Sequence, residues 1–137
     1  MRFAGHVHKD GKFWVAEVPM FEAMTQGRTR REALAMTLDW FETMADVPGF
    51  SMRLFEKSKL HFEVGSNSPR VLIRLLLQRR REISGLSLAD MARRLGARSR
   101  NAYARYERGS STPTVEKLDE LLRVVSPGKD YLIQETA

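Results

Sequence analysis

The sequence predicts an α+β protein in two parts. Residues 1–65 read as a small antiparallel sheet carrying one helix, and residues 66–137 as an all-α unit. Three observations carry this. Two alternating runs flank Asp10-Gly11, the apolar period changes from two to about 3.6 after the polar stretch Gly65-Ser66-Asn67-Ser68, and the positive charge gathers in one block behind that stretch. At 137 residues the chain has room for one ordinary domain or two small ones.

The hairpin is the first element. A two-residue Asp10-Gly11 loop sets Lys9 against Lys12 and Val7 against Trp14. Phe3, Val7, Trp14, Ala16 and Val18 then share a core face. The opposite face carries Ala4, His6, His8, Phe13, Val15 and Glu17, too apolar for plain solvent and too polar for a core. Of these, His6, His8, Phe13, Val15 and Glu17 are the candidate partner-binding residues. Pro19 ends the second strand, Ala23-Met24-Thr25 suggests a third, and Gly27 turns the chain. Thr29 and Glu32 form a capping box for a helix whose stripe is Leu34, Leu38, Phe41 and Ala45, widened by Ala33, Met36, Trp40 and Met44. Pro48-Gly49 closes it. Phe50–Phe55 and Leu60–Val64 read as further strands.

Four helices are expected beyond the polar stretch. Ser68-Pro69 starts the first, with Val71, Leu72, Leu75, Leu76 and Ile83 as its stripe. Ser87 caps the second, with Asp90 as box partner; Gly96-Ala97 turns the chain; the third runs from Arg98/Ser99 to Arg108. Thr112-Pro113-Thr114 opens the fourth, stopped by Pro127-Gly128. Tyr131-Leu132-Ile133 fits a short helix or a docking strand equally well.

Composition narrows the function. Residues 1–68 are net neutral, whereas residues 70–108 hold eleven Arg against Glu82, Asp90 and Glu107. Arginine's planar fork suits phosphates and guanine edges. The absence of cysteine excludes a disulfide scaffold, a thiolate zinc site and a cysteine nucleophile, and is compatible with a cytoplasmic setting. The start shows no secretory pattern, and the apolar run Val71–Leu77 is interrupted by Arg74 and too short to span a bilayer. His6 and His8 share a strand face but lack an evident third ligand, so no metal or other cofactor is expected. The carboxylates Asp10, Glu17, Asp39, Glu42 and Asp46 do not converge as a two-metal nuclease requires, and neither a nucleophile elbow nor a glycine-rich phosphate cradle is present. The chain is therefore not expected to be an enzyme.

The second and third C-terminal helices with their glycine turn make a helix-turn-helix pattern, in which the third helix enters the major groove. Its leading residues are Arg98, Ser99, Arg100 and Asn101, with Arg105 one turn on; Arg suits guanine and Asn suits adenine. Ala102 and Ala104 are expected to slim its exposed side, and Tyr103 and Tyr106 to pack in the core. Ser87, at the preceding helix start, is a candidate phosphate contact.

From Leu86 to Val125 the chain resembles the Xre/Cro-type repressor domain, through LSLADMARRLG, RYERG and TPTVEKLDELL. The turn ARSRN is one residue longer than the usual form, and Leu88 stands where the family often has a glutamine touching the DNA backbone. The resemblance makes Glu107 a structural ion-pair residue. GKFWVAEVP followed by MTQGRTRREAL resembles the HicB antitoxin family, some members of which carry an Xre-type tail. The two matches span roughly 2–45 and 70–125. They imply a degenerate ribonuclease H-like N-terminal unit that binds and blocks a HicA-type mRNA-cleaving toxin, and a C-terminal domain that represses the shared operon. A homodimer or higher oligomer is expected, since one small reading head covers too few base pairs. A ligand-responsive repressor with a small-molecule-sensing N-terminal unit is the alternative.

Overall fold

The computed structural model describes residues 1–137. Five antiparallel strands, β1 (Arg2–Asp10), β2 (Phe13–Val18), β3 (Ala23–Gly27), β4 (Met52–Glu56) and β5 (His61–Ser66), form one sheet ordered β3-β2-β1-β5-β4. The helices are α1 (Arg30–Ala45), α2 (Pro69–Ile83), α3 (Leu88–Arg94), α4 (Asn101–Arg108) and α5 (Val115–Val125). This is the α+β class that the sequence predicts. Two compact units divide the chain, Met1–Leu76 and Leu77–Ala137, so the first turns of α2 belong to one and its last turns to the other. No helix is long and apolar enough to cross a membrane.

The hairpin register differs from the expected one. Asp10 pairs with Phe13, which leaves Gly11-Lys12 as the loop; Val7 faces Ala16, and Lys9 faces Trp14. Gly11 takes φ +59° at the first loop position. That is the pattern of a type II′ turn, which needs positive φ only there, so the glycine and not the Asp-Gly pair sets the loop. Each partner moves by two residues. The side-chain period is also two, so both faces keep their members.

The core face of the sheet buries Val7, Ala16, Val18, Phe62 and Val64 beneath α1. Phe21 stands edge-on to Phe3 at 4.9 Å and to Phe41 of α1 at 4.8 Å between ring centroids. Helix α1 begins with the Glu32 N–H donating to Thr29 Oγ1 at 3.1 Å. The return arm of the box reaches the Arg28 N–H, at 3.2 Å, rather than that of Thr29. The helix stops at Ala45, where Asp46 turns left-handed, three residues before Gly49. Its buried row is Ala33, Leu34, Thr37, Phe41 and Ala45; Met36 and Met44, expected to widen the stripe, are exposed. Thr37 is tolerated there because its hydroxyl donates to Ala33 O at 3.1 Å and lies 2.9 Å from Thr25 Oγ1. Gly27 lies under the start of α1, where a Cβ would fall 2.5 Å from Ala33 N.

The polar stretch Gly65–Ser68 is largely ordered structure. Gly65 and Ser66 close β5, and the Ser68 hydroxyl accepts from the Val71 N–H at 3.3 Å at the start of α2. In the second unit Leu77, Met91, Ala92, Tyr103, Tyr106, Leu121, Leu122 and Val125 form the core. Tyr131-Leu132-Ile133 joins no regular element, and Leu132 and Ile133 are exposed.

Candidate nucleic-acid interface and partner face

Helix α3 starts with the full capping box expected of it. The Asp90 N–H donates to Ser87 Oγ at 3.0 Å, and the Ser87 N–H donates to Asp90 Oδ2 at 2.8 Å. These bonds from Ser87 hold the Asp90 carboxyl below its ordinary pKa, aided by Arg93, to which it is also bonded. They also limit Ser87 as a phosphate contact. Its N–H is already committed to Asp90, and a carboxylate stands beside its hydroxyl.

The turn after α3 closes in a Schellman arrangement. Gly96 takes φ +72°, its N–H donates to Arg93 O at 3.0 Å, and the Ala97 N–H donates to Ala92 O at 2.9 Å. Arg98, Ser99 and Arg100 belong to this connection, and α4 begins at Asn101, later than the sequence suggests. No side-chain cap is made from Arg100, while Ser99 Oγ accepts from the Asn101 N–H at 3.2 Å. Arg98, Ser99, Arg100, Asn101 and Arg105 are all exposed. Tyr103 and Tyr106 are buried, as expected of core residues. Ala104 is buried as well and Ala102 is half-buried, so these alanines pack inward instead of slimming the outer side of α4. The outer side is made by Asn101, Arg105 and Arg108 at helical spacing.

An ion pair fixes α4 against the end of α2. Arg81 Nε donates to Glu107 Oε1 at 2.8 Å and Oε2 at 3.1 Å, and Arg81 Nη1 donates to Leu86 O at 2.9 Å. The side chains are only 16% and 8% exposed. Burial alone would lower the Arg81 pKa, but the hydrogen bond and charge of Glu107 outweigh it and raise the value. Burial, followed by the Glu107 charge, pushes the Tyr103 hydroxyl far above its ordinary range. That hydroxyl therefore stays a donor, 3.2 Å from Glu107 Oε1 and 3.4 Å from Leu77 O.

Most arginines of the basic block are held by their own chain. Arg80 donates to Ser126 Oγ, Arg94 to Val124 O and Arg74 to Ala45 O, while Arg105 donates to the Tyr106 hydroxyl. Arg98 and Arg100 are the exceptions, their side chains making no internal hydrogen bond or ion pair. Two uncommitted guanidinium groups thus stand at the entry to α4, able to take phosphates or base edges.

In the first unit, the sheet face opposite α1 carries no helix. His6, His8, Phe13, Val15 and Glu17 share it, as the preserved hairpin faces require. His6 and His8 stack at 6.1 Å between ring centroids, and His6 Nε2 lies 3.4 Å from Glu17 Oε2. Phe13 is 40% exposed, whereas Val15 is buried and contributes little contact area. The pairing of β1 with β5 and of β5 with β4 adds residues that hairpin reasoning missed. His61 stands opposite His6, and Glu63 opposite Ala4 and Phe55. The Arg2 guanidinium lies 3.4 Å from the Phe55 ring centre and pairs with Glu63 at 3.2 Å. All three histidines of the chain therefore share this face. They and the neighbouring carboxylates do not gather in threes as a metal ion would need.

Residues 77–125 match the helix-turn-helix family model, of the Xre/Cro type. A comparison with curated proteins gives no match. The chain thus carries a helix-turn-helix DNA-binding domain of the kind that serves transcription regulation.

Proposed function

We propose that this protein is an antitoxin that binds and neutralises a HicA-type mRNA-cleaving toxin and represses its own operon by sequence-specific DNA binding. It acts in the cytoplasm, as a homodimer or higher oligomer, and without catalysis of its own. The observation that supports the DNA-reading half is the pair of uncommitted arginines, Arg98 and Arg100, beside the exposed Asn101 at the start of α4. Paired hydrogen bonds from Arg to guanine and from Asn to adenine would supply base readout. The remaining positive charge would supply phosphate contacts and a steep salt dependence.

The inhibitory half rests on the open face of the sheet. The face carries exposed Phe13 next to the hairpin loop, then His8, then His6 with Glu17 and His61, and Phe55 at the far side, a mixture of aromatic and polar groups of the kind found in protein interfaces. Occlusion needs no chemistry from this chain. Several first-unit carboxylates have structural partners, as when Glu42 Oε1 accepts from the Met52 N–H at 2.8 Å to start β4.

Two arms test the proposal on the full chain. Arg100→Ala and Asn101→Ala should each cost about 1–3 kcal/mol on the operator and little on random duplex, measured by competition titration. Equal losses on both duplexes would remove these residues from base readout. Phe13→Asp should abolish protection in cells that express the neighbouring toxin, while circular dichroism and operator binding stay normal. Full protection by that variant would take the toxin off this face.

A further inference from the structure

The opposite edge of the first unit carries a second surface. Strand β3 closes the sheet and pairs only with β2. An edge strand offers a row of backbone N–H and C=O groups to another strand, and proteins usually guard it with charge or proline. The other edge follows that practice. Strand β4 carries Arg53 and Glu56, and Glu56 is tied to Arg30 at 2.5 Å. Strand β3 reads Ala-Met-Thr-Gln-Gly, with neither charge nor proline.

Above this bare edge lies an apolar flank of α1. The row Ala33 and Thr37 sits directly on Thr25 of β3, whose hydroxyl donates to Ala33 O at 3.0 Å. On the far side of the helix, Glu42 reaches β4 at Met52. The row at positions 36, 40 and 44 is therefore turned away from β4, toward the outside of β3. It holds Met36, 44% exposed, half-buried Trp40, and Met44, 37% exposed. Below the strand, on the sheet's open face, Met24 is 62% exposed. An unguarded strand edge thus runs between apolar side chains on both sides, with Glu32, Asp39 and Thr43 around the helix flank.

We infer that β3 and the Met36–Trp40 flank of α1 are a self-association surface, on which a second copy of this chain pairs β3 with β3 across a two-fold axis. The occupant follows from chemistry and symmetry. A strand edge is completed by a strand, and an isologous contact needs a patch that complements itself. Antiparallel pairing centred on Thr25 sets Met24 against Gln26 of the other copy, and no like charges meet along the strands. The same axis lays the two α1 flanks side by side, so that Met36 and Trp40 are covered by their equivalents. The result is one continuous ten-stranded sheet, since each copy contributes five strands. Two copies bound this way carry two reading heads, as two operator half-sites require. The inference rests on the dimeric reading proposed above and names its surface.

Sedimentation velocity on the full chain over a broad dilution series tests it. Wild type should be a dimer. Met24→Lys combined with Met36→Lys places like charges across the axis and should weaken dimerisation about a hundredfold or more, with circular dichroism unchanged because both positions are exposed. Mixing a Met36→Lys chain with a Met36→Glu chain should restore a dimer containing one of each. Because the chain has no cysteine, Met36→Cys should also give a disulfide-linked dimer under mild oxidation. A wild type that is monomeric at every concentration would overturn the dimeric reading and this inference together. A dimer that survives the double lysine variant would overturn this inference alone and place self-association elsewhere.

Discussion

The two units hold their surfaces in different ways. In the second unit the site is assembled by neighbours in sequence: a capping box spanning Ser87 to Asp90, a glycine turn at Gly96, and a helix begun at Asn101. In the first, His6, His61 and Glu17 stand side by side although Glu17 and His61 are far apart in the chain. Local chemistry placed the candidate DNA-reading residues. Strand order placed the candidate partner face. The second kind of placement depends on non-local pairing, which short-range sequence patterns do not encode.

The same contrast explains what was legible before the fold was known. The caps at Thr29, Ser68, Ser87 and Thr114, and the turn at Gly96, depend on side chains bonding to backbone a few residues away, and each stands where the pattern puts it. The two sheet faces were also legible, because a slip of two residues leaves them intact. The membership of Phe55 and His61 in the open face was not, since nothing local pairs β1 with β5. Met36 and Met44 misled for a related reason. Helical spacing marks an apolar row but does not say whether its neighbour is the protein's own core or solvent.

The largest expected effect breaks the second unit and spares the first. Glu107→Ala would leave the Arg81 guanidinium largely covered and without its anion, and would take an acceptor from Tyr103. Removing one partner of a buried pair costs about 3–5 kcal/mol, enough to unfold a unit of this size. Chemical denaturation followed by tyrosine and tryptophan signals should show the change, because both tryptophans lie in the first unit, at positions 14 and 40. The tryptophan transition should stay near its wild-type midpoint while operator binding is lost. Full stability of Glu107→Ala would mean that the ion pair does not hold α2 to α4.

A smaller effect runs the other way. Gly27→Ala places a methyl group 2.5 Å from Ala33 N, against backbone that cannot rotate aside. Overpacking of this kind costs about 1–3 kcal/mol. It should lower the tryptophan transition and leave the tyrosine transition near its wild-type midpoint. Together with Glu107→Ala it asks whether the units melt separately. Coincident loss of both signals in either variant would show that they unfold as one.

The smallest effect sharpens the claim that local chemistry builds the DNA-reading site. Ser87→Ala removes the hydroxyl that accepts from the Asp90 N–H at the start of α3, and loss of an N-cap costs about 1 kcal/mol. Asp90→Asn removes the charge from the other arm of the same box. The sign of the pH effect follows from the bonds. Asp90 has a folded-state pKa below its ordinary value of 3.8 because Ser87 bonds to the ionised form. Its contribution is therefore complete above the ordinary value and disappears as pH falls through the lowered folded value. Wild type should lose stability over that acid range, and Asp90→Asn should lack that component of the loss. Thermal melts across the range decide it. If wild type and Asp90→Asn lose stability in parallel as the solution is acidified, the carboxylate arm of the box does not contribute, and the helix start is held by Ser87 alone.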